Sequence, residues 1–237
     1  NTSQPRYRWV IVAASAIILA ISMGAIVNGL SAFIVPMQDA FGWARGDITL
    51  INFSGIMGLA FGGMVMGRQA DLRGARPVVL FGAIVLGLSY LAASFLTSLW
   101  QFYLLFFIAG FFGAGAIFPP ILATVGSWFF VGAGLAIGIA SAGQAMGQGG
   151  VPFVSSLLIK HYGISNAFGI TGIFMLATLV PLALLLRRPP EVSAGQRLAT
   201  AAQEETLIPT PVVVRTLSLA IILCCTCMSV PLMHLVP

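Results

Sequence analysis

Charge is scarce in this sequence. Lys, Arg, Asp and Glu make up 7% of the 237 residues, against 59% hydrophobic, and the mean hydropathy is +1.02. A chain so composed has too little polar surface to wrap a soluble core. Cysteine is nearly absent: the three copies, Cys224, Cys225 and Cys227, crowd into one apolar run. They read as small hydrophobes, with no disulfide framework and no further ligands for a metal. Catalytic signatures are missing as well. There is no glycine-rich phosphate loop, no pair of carboxylates inside an apolar run, no histidine–glutamate metal motif and no activated serine. An enzyme is therefore a poor fit, and no cofactor is expected. Basic residues outnumber acidic ones by 11 to 6, a net charge of +5, but they are scattered along the edges of apolar runs. That dispersal argues against nucleic-acid binding. No ten-residue alternation suggests a membrane barrel.

What is present is a series of apolar runs, each near the roughly 20 residues a helix needs to cross hydrocarbon. Seven are expected: 9–36, 47–66, 78–97, 101–126, 133–159, 165–186 and 212–236. Backbone groups in lipid must bond within their own segment, so these runs are helices. The first is too long for a signal peptide, and no small-residue cleavage site followed by a polar domain marks it as one. With a cytoplasmic N-terminus, the inside carries Arg6, Arg8, Arg68, Arg73, Arg76, Arg187, Arg188, Arg197 and Arg215, and the outside only Arg45 and Lys160. That asymmetry sets the expected orientation in a cell membrane, plasma or inner. Residues 187–211, with Pro189, Pro190, Glu191, Glu204, Glu205, Pro209 and Pro211, form the one long connector. The expected organisation is a six-helix bundle over 1–186, a cytoplasmic linker over 187–211, and a seventh helix over 212–237. Six spans before the linker and one after it predict a second bundle that this chain lacks, supplied elsewhere.

Glycine recurs at four-residue spacing in Gly58/Gly62, Gly63/Gly67, Gly134/Gly138 and Gly143/Gly147. Such strips let helix backbones approach closely in lipid. Pro119 and Pro120 in the fourth run and Pro231 in the seventh each remove a backbone donor and bend their helix. Few polar groups lie inside the runs, where unpaired ones are costly. Asn28 offers an amide in the outer half of the first run. Gln144 and Gln148, four apart, share one face of the fifth. Each amide is either an interhelical hydrogen bond or a lining of the substrate cavity. Phe118, beside the proline pair, supplies an apolar wall or ordinary packing. His234 is the one side chain deep in a run that titrates near neutral pH. Its isolation suggests proton coupling or sensing of substrate charge. No arginine or lysine sits mid-membrane.

The densest charge falls in Gly67-Arg68-Gln69-Ala70-Asp71-Leu72-Arg73-Gly74-Ala75-Arg76-Pro77, a break between the second and third runs. Asp71 there can pair with Arg73, Arg76 or a helix N-terminus. The order Gly, spacer, Asp, spacer, Gly and Arg resembles the loop signature of the major facilitator superfamily. The resemblance implies that Gly67, Asp71, Arg73, Gly74 and Arg76 gate transport, latching one bundle to the other in the outward-open state. Leu72 stands where that signature usually has a basic residue, which implies a weaker latch.

A second stretch, Trp128-Phe129 followed by Gly134-Leu135-Ala136, Gly138, Ala140, Ala142 and Gly143, is similar to the fifth-helix signature of monocarboxylate transporters and of bacterial oxalate–formate antiporters. The opening Arg8-Trp9-Val10-Ile11-Val12-Ala13-Ala14 also resembles the first helix of that family, although Val131-Gly132-Ala133 replaces its usual basic residues. The resemblance implies an all-α fold of two three-helix repeats with alternating access, and symport of a small monocarboxylate such as L-lactate or pyruvate with a proton. It implies as partners a small organic anion, a proton, the lipid bilayer and the missing C-terminal bundle, whose eighth helix carries the family's arginine anchor. An organic-anion antiporter of the same fold and a non-transporting membrane subunit are the alternatives.

Overall fold

The computed structural model describes residues 7–129 and 132–187 and, further on, 212, 215, 216, 218–220 and 223. Two compact units divide the chain, Asn1–Pro189 and Pro190–Pro237. In the second, the described residues are helical, and His234, Cys224, Cys225, Cys227 and Pro231 lie outside them. So does most of the expected connector.

The first unit is all helix among its described residues, and five helical runs are long and apolar enough to cross a membrane. They are the first span, Tyr7–Phe41, the second, Arg45–Arg73, the third, Ala75–Ala93, the fourth, Leu99–Ser127, and a 53-residue run, Ala133–Leu185. The last run is two helices. Gly163 interrupts it at φ 79°, ψ 173°, separating a fifth span (133–162) from a sixth (164–185).

Two links are shorter than the charge pattern suggests. The helix of the second span runs on through Asp71 to Arg73, and Gly74 alone, at φ 92°, ψ 152°, separates it from the third. The expected break at 67–77 is therefore one residue long. Gly74 and Gly163 occupy a backbone region that only glycine enters without strain, and this lets a single residue reverse the chain. Each joins the second and third helices of a three-helix set, at opposite ends of the bundle. The first helix of each set is also irregular, with a π-helical turn at Gly24–Asn28 in the first span and at Ala109–Ala114 in the fourth. Irregularities at matching places make the two-repeat architecture visible.

The seams obey the same relation. A Cβ on Gly143 would stand 2.7 Å from the Cβ of Ala16, and one on Gly147 would collide with the carbonyl of Ala20, so the fifth span lies backbone to backbone against the first. In the matching seam between the two sets, Gly58 and Gly62 of the second span meet the backbone of Phe107 and Phe111 in the fourth, and Gly115 meets Gly62 in return. Gly87 and Gly172 bring the third and sixth spans together in the same way. Close backbone contact of this kind is how helices associate where lipid removes the hydrophobic drive. Two of the expected glycine strips behave differently. A Cβ on Gly63 or Gly67 would meet only the ring of Pro119, at ordinary contact distance, and a Cβ on Gly134 or Gly138 would have nothing within 4 Å. The latter pair faces outward and takes no part in packing among the described residues.

Candidate functional site

The first span is broken in its middle. After Met23 the helix widens into the π turn Gly24–Asn28 and then tightens into a 3₁₀ turn, Gly29–Phe33, before resuming at Ile34. Such breaks leave carbonyls without their usual amide partners, and in lipid each must be met by a side chain. Neighbouring spans supply them. The Tyr90 hydroxyl of the third span donates to the Ala25 carbonyl at 2.8 Å. The Asn52 amide of the second donates to Ile26 and Val27 at 3.0 and 2.9 Å. Asn28 donates across to the Gln148 carbonyl of the fifth at 3.4 Å, and Ser31 closes back onto the Asn28 carbonyl at 2.7 Å.

Aromatic packing underlies this cluster. Tyr90, 3% exposed, leans on Phe106 of the fourth span and Phe168 of the sixth, with ring centroids 5.8 and 5.9 Å away. Phe168 in turn stacks on Phe33 at 4.0 Å. All six spans thus meet around one irregular turn.

The structure brings together some of the expected residues and not others. Asn28 is half-buried, as expected, but it reaches the Gln148 backbone and not its side chain. The Gln148 amide and that of Gln144, one turn away, are half-buried and have no hydrogen-bond partner among the described residues. Both have spare donors and an acceptor for a polar ligand. Phe118 is partly buried against the core, with no hydrogen bond or ring contact to this cluster. His234 lies outside the described residues. Asn52 and Tyr90 went unnoticed in the sequence, although Asn52 is an amide inside an apolar run by the same criterion that singled out Asn28. Among the described residues no group of three or more His, Cys, Asp or Glu side chains could hold a metal.

A second feature occupies the arginine-rich end. Asp71, Arg73, Gly74, Arg76, Thr124 and Arg187 line a cleft of about 340 Å³, with Gly67 one turn back on the same helix. The pairing expected inside this cluster is not formed: no ion pair joins Asp71 to an arginine among the described residues. Asp71 and Arg73 are two residues apart on one continuous helix, so their side chains diverge. All three charged groups are exposed.

The same end carries an aromatic collar. The Tyr7 hydroxyl donates to the Leu185 carbonyl at 2.7 Å, tying the start of the first span to the end of the sixth. Trp128 donates from Nε1 to the Arg187 carbonyl at 3.3 Å and packs on Tyr7 at 6.1 Å. Arg187 lies over the Tyr7 ring at 4.9 Å, and Arg8 over Phe129 at 5.2 Å. Cations over aromatic faces at the membrane edge are an ordinary interfacial anchor. Trp128-Phe129 therefore closes one end of the bundle.

Comparisons with known proteins agree with this geometry. MFS-type transporter 1 of Ophiocordyceps sp. (strain BCC 1869) is 29% identical over 209 residues, covering 85% of this chain and 46% of that protein. Human monocarboxylate transporter 2 is 30% identical over 169 residues, covering 71% of this chain and 34% of that protein. The chain thus spans less than half the length of these relatives. Among solved structures, the POT family transporter PepTSo superposes with a TM-score of 0.62 at 21% identity, over 87% of this chain and 43% of that one. That likeness concerns the fold. The profile of the Major Facilitator Superfamily matches residues 12–237. The chain belongs to the Major Facilitator Superfamily.

Proposed function

We propose that this chain forms one half of a secondary transporter that moves a small monocarboxylate, such as L-lactate or pyruvate, together with a proton. The observation that carries this reading is the cluster of half-buried amides, Asn28, Gln144 and Gln148, beside the broken turn of the first span in an otherwise apolar bundle. Similarity to monocarboxylate transporter 2 supports the substrate class. In this reading the amides orient the substrate's oxygens and Phe118 walls the cavity. The charge of the carboxylate is neutralised from a second bundle, because no arginine or lysine lies mid-span here.

Access alternates as the two bundles rock about a site near the midplane. Asp71, without an ion pair among the described residues, latches onto the second bundle with Arg73 and Arg76 at its sides, and Gly67 and Gly74 let the helices come close. His234 takes the proton or senses substrate charge, a role resting on its isolation in the seventh run. The N-terminus and the arginine-rich end face the cytoplasm of a plasma or inner membrane. Transport makes and breaks no bond, so the protein is no enzyme.

The test is uptake of labelled lactate into liposomes bearing the 237-residue chain, driven by an inward proton gradient, with and without a supplied second bundle. Uptake only with the second bundle supports the half-transporter. Uptake that follows counter-substrate and ignores the proton gradient would replace symport by antiport. Folded protein that never transports, even with the second bundle, would sink the reading.

A further inference from the structure

A groove between the first, fifth and sixth spans contains two hydroxyls that the helices leave unused. It measures about 290 Å³ and is walled by Ile21 of the first span, Val151 and Leu158 of the fifth, and Phe174 and Met175 of the sixth. Ser155 and Thr171 also line it, 3% and 9% exposed, and neither hydroxyl has a hydrogen-bond partner among the described residues. Serine and threonine in membrane helices ordinarily bond back to the carbonyl four residues earlier. Ser22 does so to Ile18 and Thr124 to Pro120, both at 2.7 Å. Ser155 and Thr171 do not, although each sits within a helix. Both oxygens open onto the groove, the one buried hydroxyl without a partner among the described residues being Ser15 Oγ, and a donor left unmet in hydrocarbon is costly, so an acceptor belongs in the groove.

Depth identifies the acceptor. Ser155 is eight residues before Gly163 and Thr171 eight after it, so the two hydroxyls stand at one level, about 12 Å below the bend. A bilayer's polar layer is roughly 6 Å thick on each side. With the bend at its water-facing edge, the hydroxyls lie about one helical turn inside the hydrocarbon boundary. Phosphates are out of reach there, whereas glycerolipid ester carbonyls are within the span of a side chain and a hydrogen bond. Val154, Ile170 and Phe174, which line the groove, are exposed and apolar, as a lipid-facing rim requires.

We propose that the groove holds one acyl chain of a glycerophospholipid from the leaflet at the Gly163 end, its ester carbonyl accepting hydrogen bonds from Ser155 and Thr171. The groove adjoins the broken turn of the first span, since Val151 packs against Gly24 and Gly29, but its two hydroxyls take no part in the Asn28 cluster, and the proposal does not depend on what the protein transports.

The test reconstitutes the full chain in nanodiscs of phosphatidylcholine containing a diester phosphatidylcholine with a diazirine on one acyl chain. After irradiation, labelled peptides are mapped by mass spectrometry. Label should concentrate on 150–158 and 170–175 above other lipid-facing segments such as the one bearing Phe61 and Met64. Ser155→Ala and Thr171→Val, which remove each hydroxyl without adding bulk, should each lower that enrichment about threefold. A probe with ether-linked chains, tested on the unaltered protein, should lose it too. Uniform labelling of all lipid-facing segments would overturn the proposal. So would equal enrichment by ester and ether lipids, or a groove left unlabelled because another protein segment covers it.

Discussion

The first and second spans invert the usual expectation about glycine. The second holds six glycines between Arg45 and Arg73 and is an unbroken α-helix. The first holds two in its membrane stretch, Gly24 and Gly29, and is broken into π and 3₁₀ turns. Glycine content does not decide which helix breaks. What differs is the neighbourhood. Beside the first span stand Asn52 and Tyr90, ready to take the carbonyls that a wide turn releases. Beside the second lies the backbone of the fourth span, so close that its glycines leave no room for a side chain, although the fourth span itself widens into a π turn along this seam. A helix breaks in lipid where side chains from elsewhere can satisfy it.

The largest expected effect comes from filling a seam. Gly147→Leu forces a side chain into the backbone of the first span, and overpacking of this kind costs about 1–3 kcal/mol or more. Thermal unfolding in detergent should show a much lowered midpoint. Gly138→Leu, with open space around it, should leave the midpoint nearly unchanged. Equal losses for both would mean that the seams lie elsewhere.

Asn52→Leu comes next, because it strands the carbonyls of Ile26 and Val27 and should destabilise by about 1–2 kcal/mol. Amide exchange should rise at residues 24–31 and stay constant in the π turn of the fourth span, which Asn52 does not bond. Tyr90→Phe removes one hydrogen bond and keeps the ring on Phe106 and Phe168, so about 0.6 kcal/mol is expected. If Tyr90→Phe proves worse than Asn52→Leu by the same unfolding assay, the ranking of the two clamps is wrong. The smallest effect on stability belongs to Asp71→Asn, since the carboxylate has no ion pair among the described residues. Its unfolding midpoint should match the unaltered chain, while uptake in a transporter completed by a second bundle should fall if the latch operates.

Much of the fold was legible because it is written in length and hydropathy. The six spans of the first unit fall where apolar runs fall, and the closest seams include Gly58/Gly62 and Gly143/Gly147, both visible as spacing. The same spacing misled at Gly134/Gly138, because four-residue periodicity says which residues share a face and not which face meets a neighbour. The break at 67–77 was overestimated because charge was taken as the end of the helix, whereas a helix emerging from lipid can carry Asp71 and Arg73 in its final turn. The candidate site was legible only in part. Asn28 and Gln148 could be picked out as amides in apolar runs, but their meeting through a backbone carbonyl depends on a π turn that no residue pattern announced. Tyr90 was hidden for a different reason: a tyrosine in a span reads as packing until the carbonyl it serves is known.

The one-residue links at Gly74 and Gly163 have a consequence for how the folded protein moves. Successive Cα atoms are about 3.8 Å apart, so a single residue provides no slack for one intact helix to slide along its neighbour. The second and third spans therefore move as one hairpin, and so do the fifth and sixth.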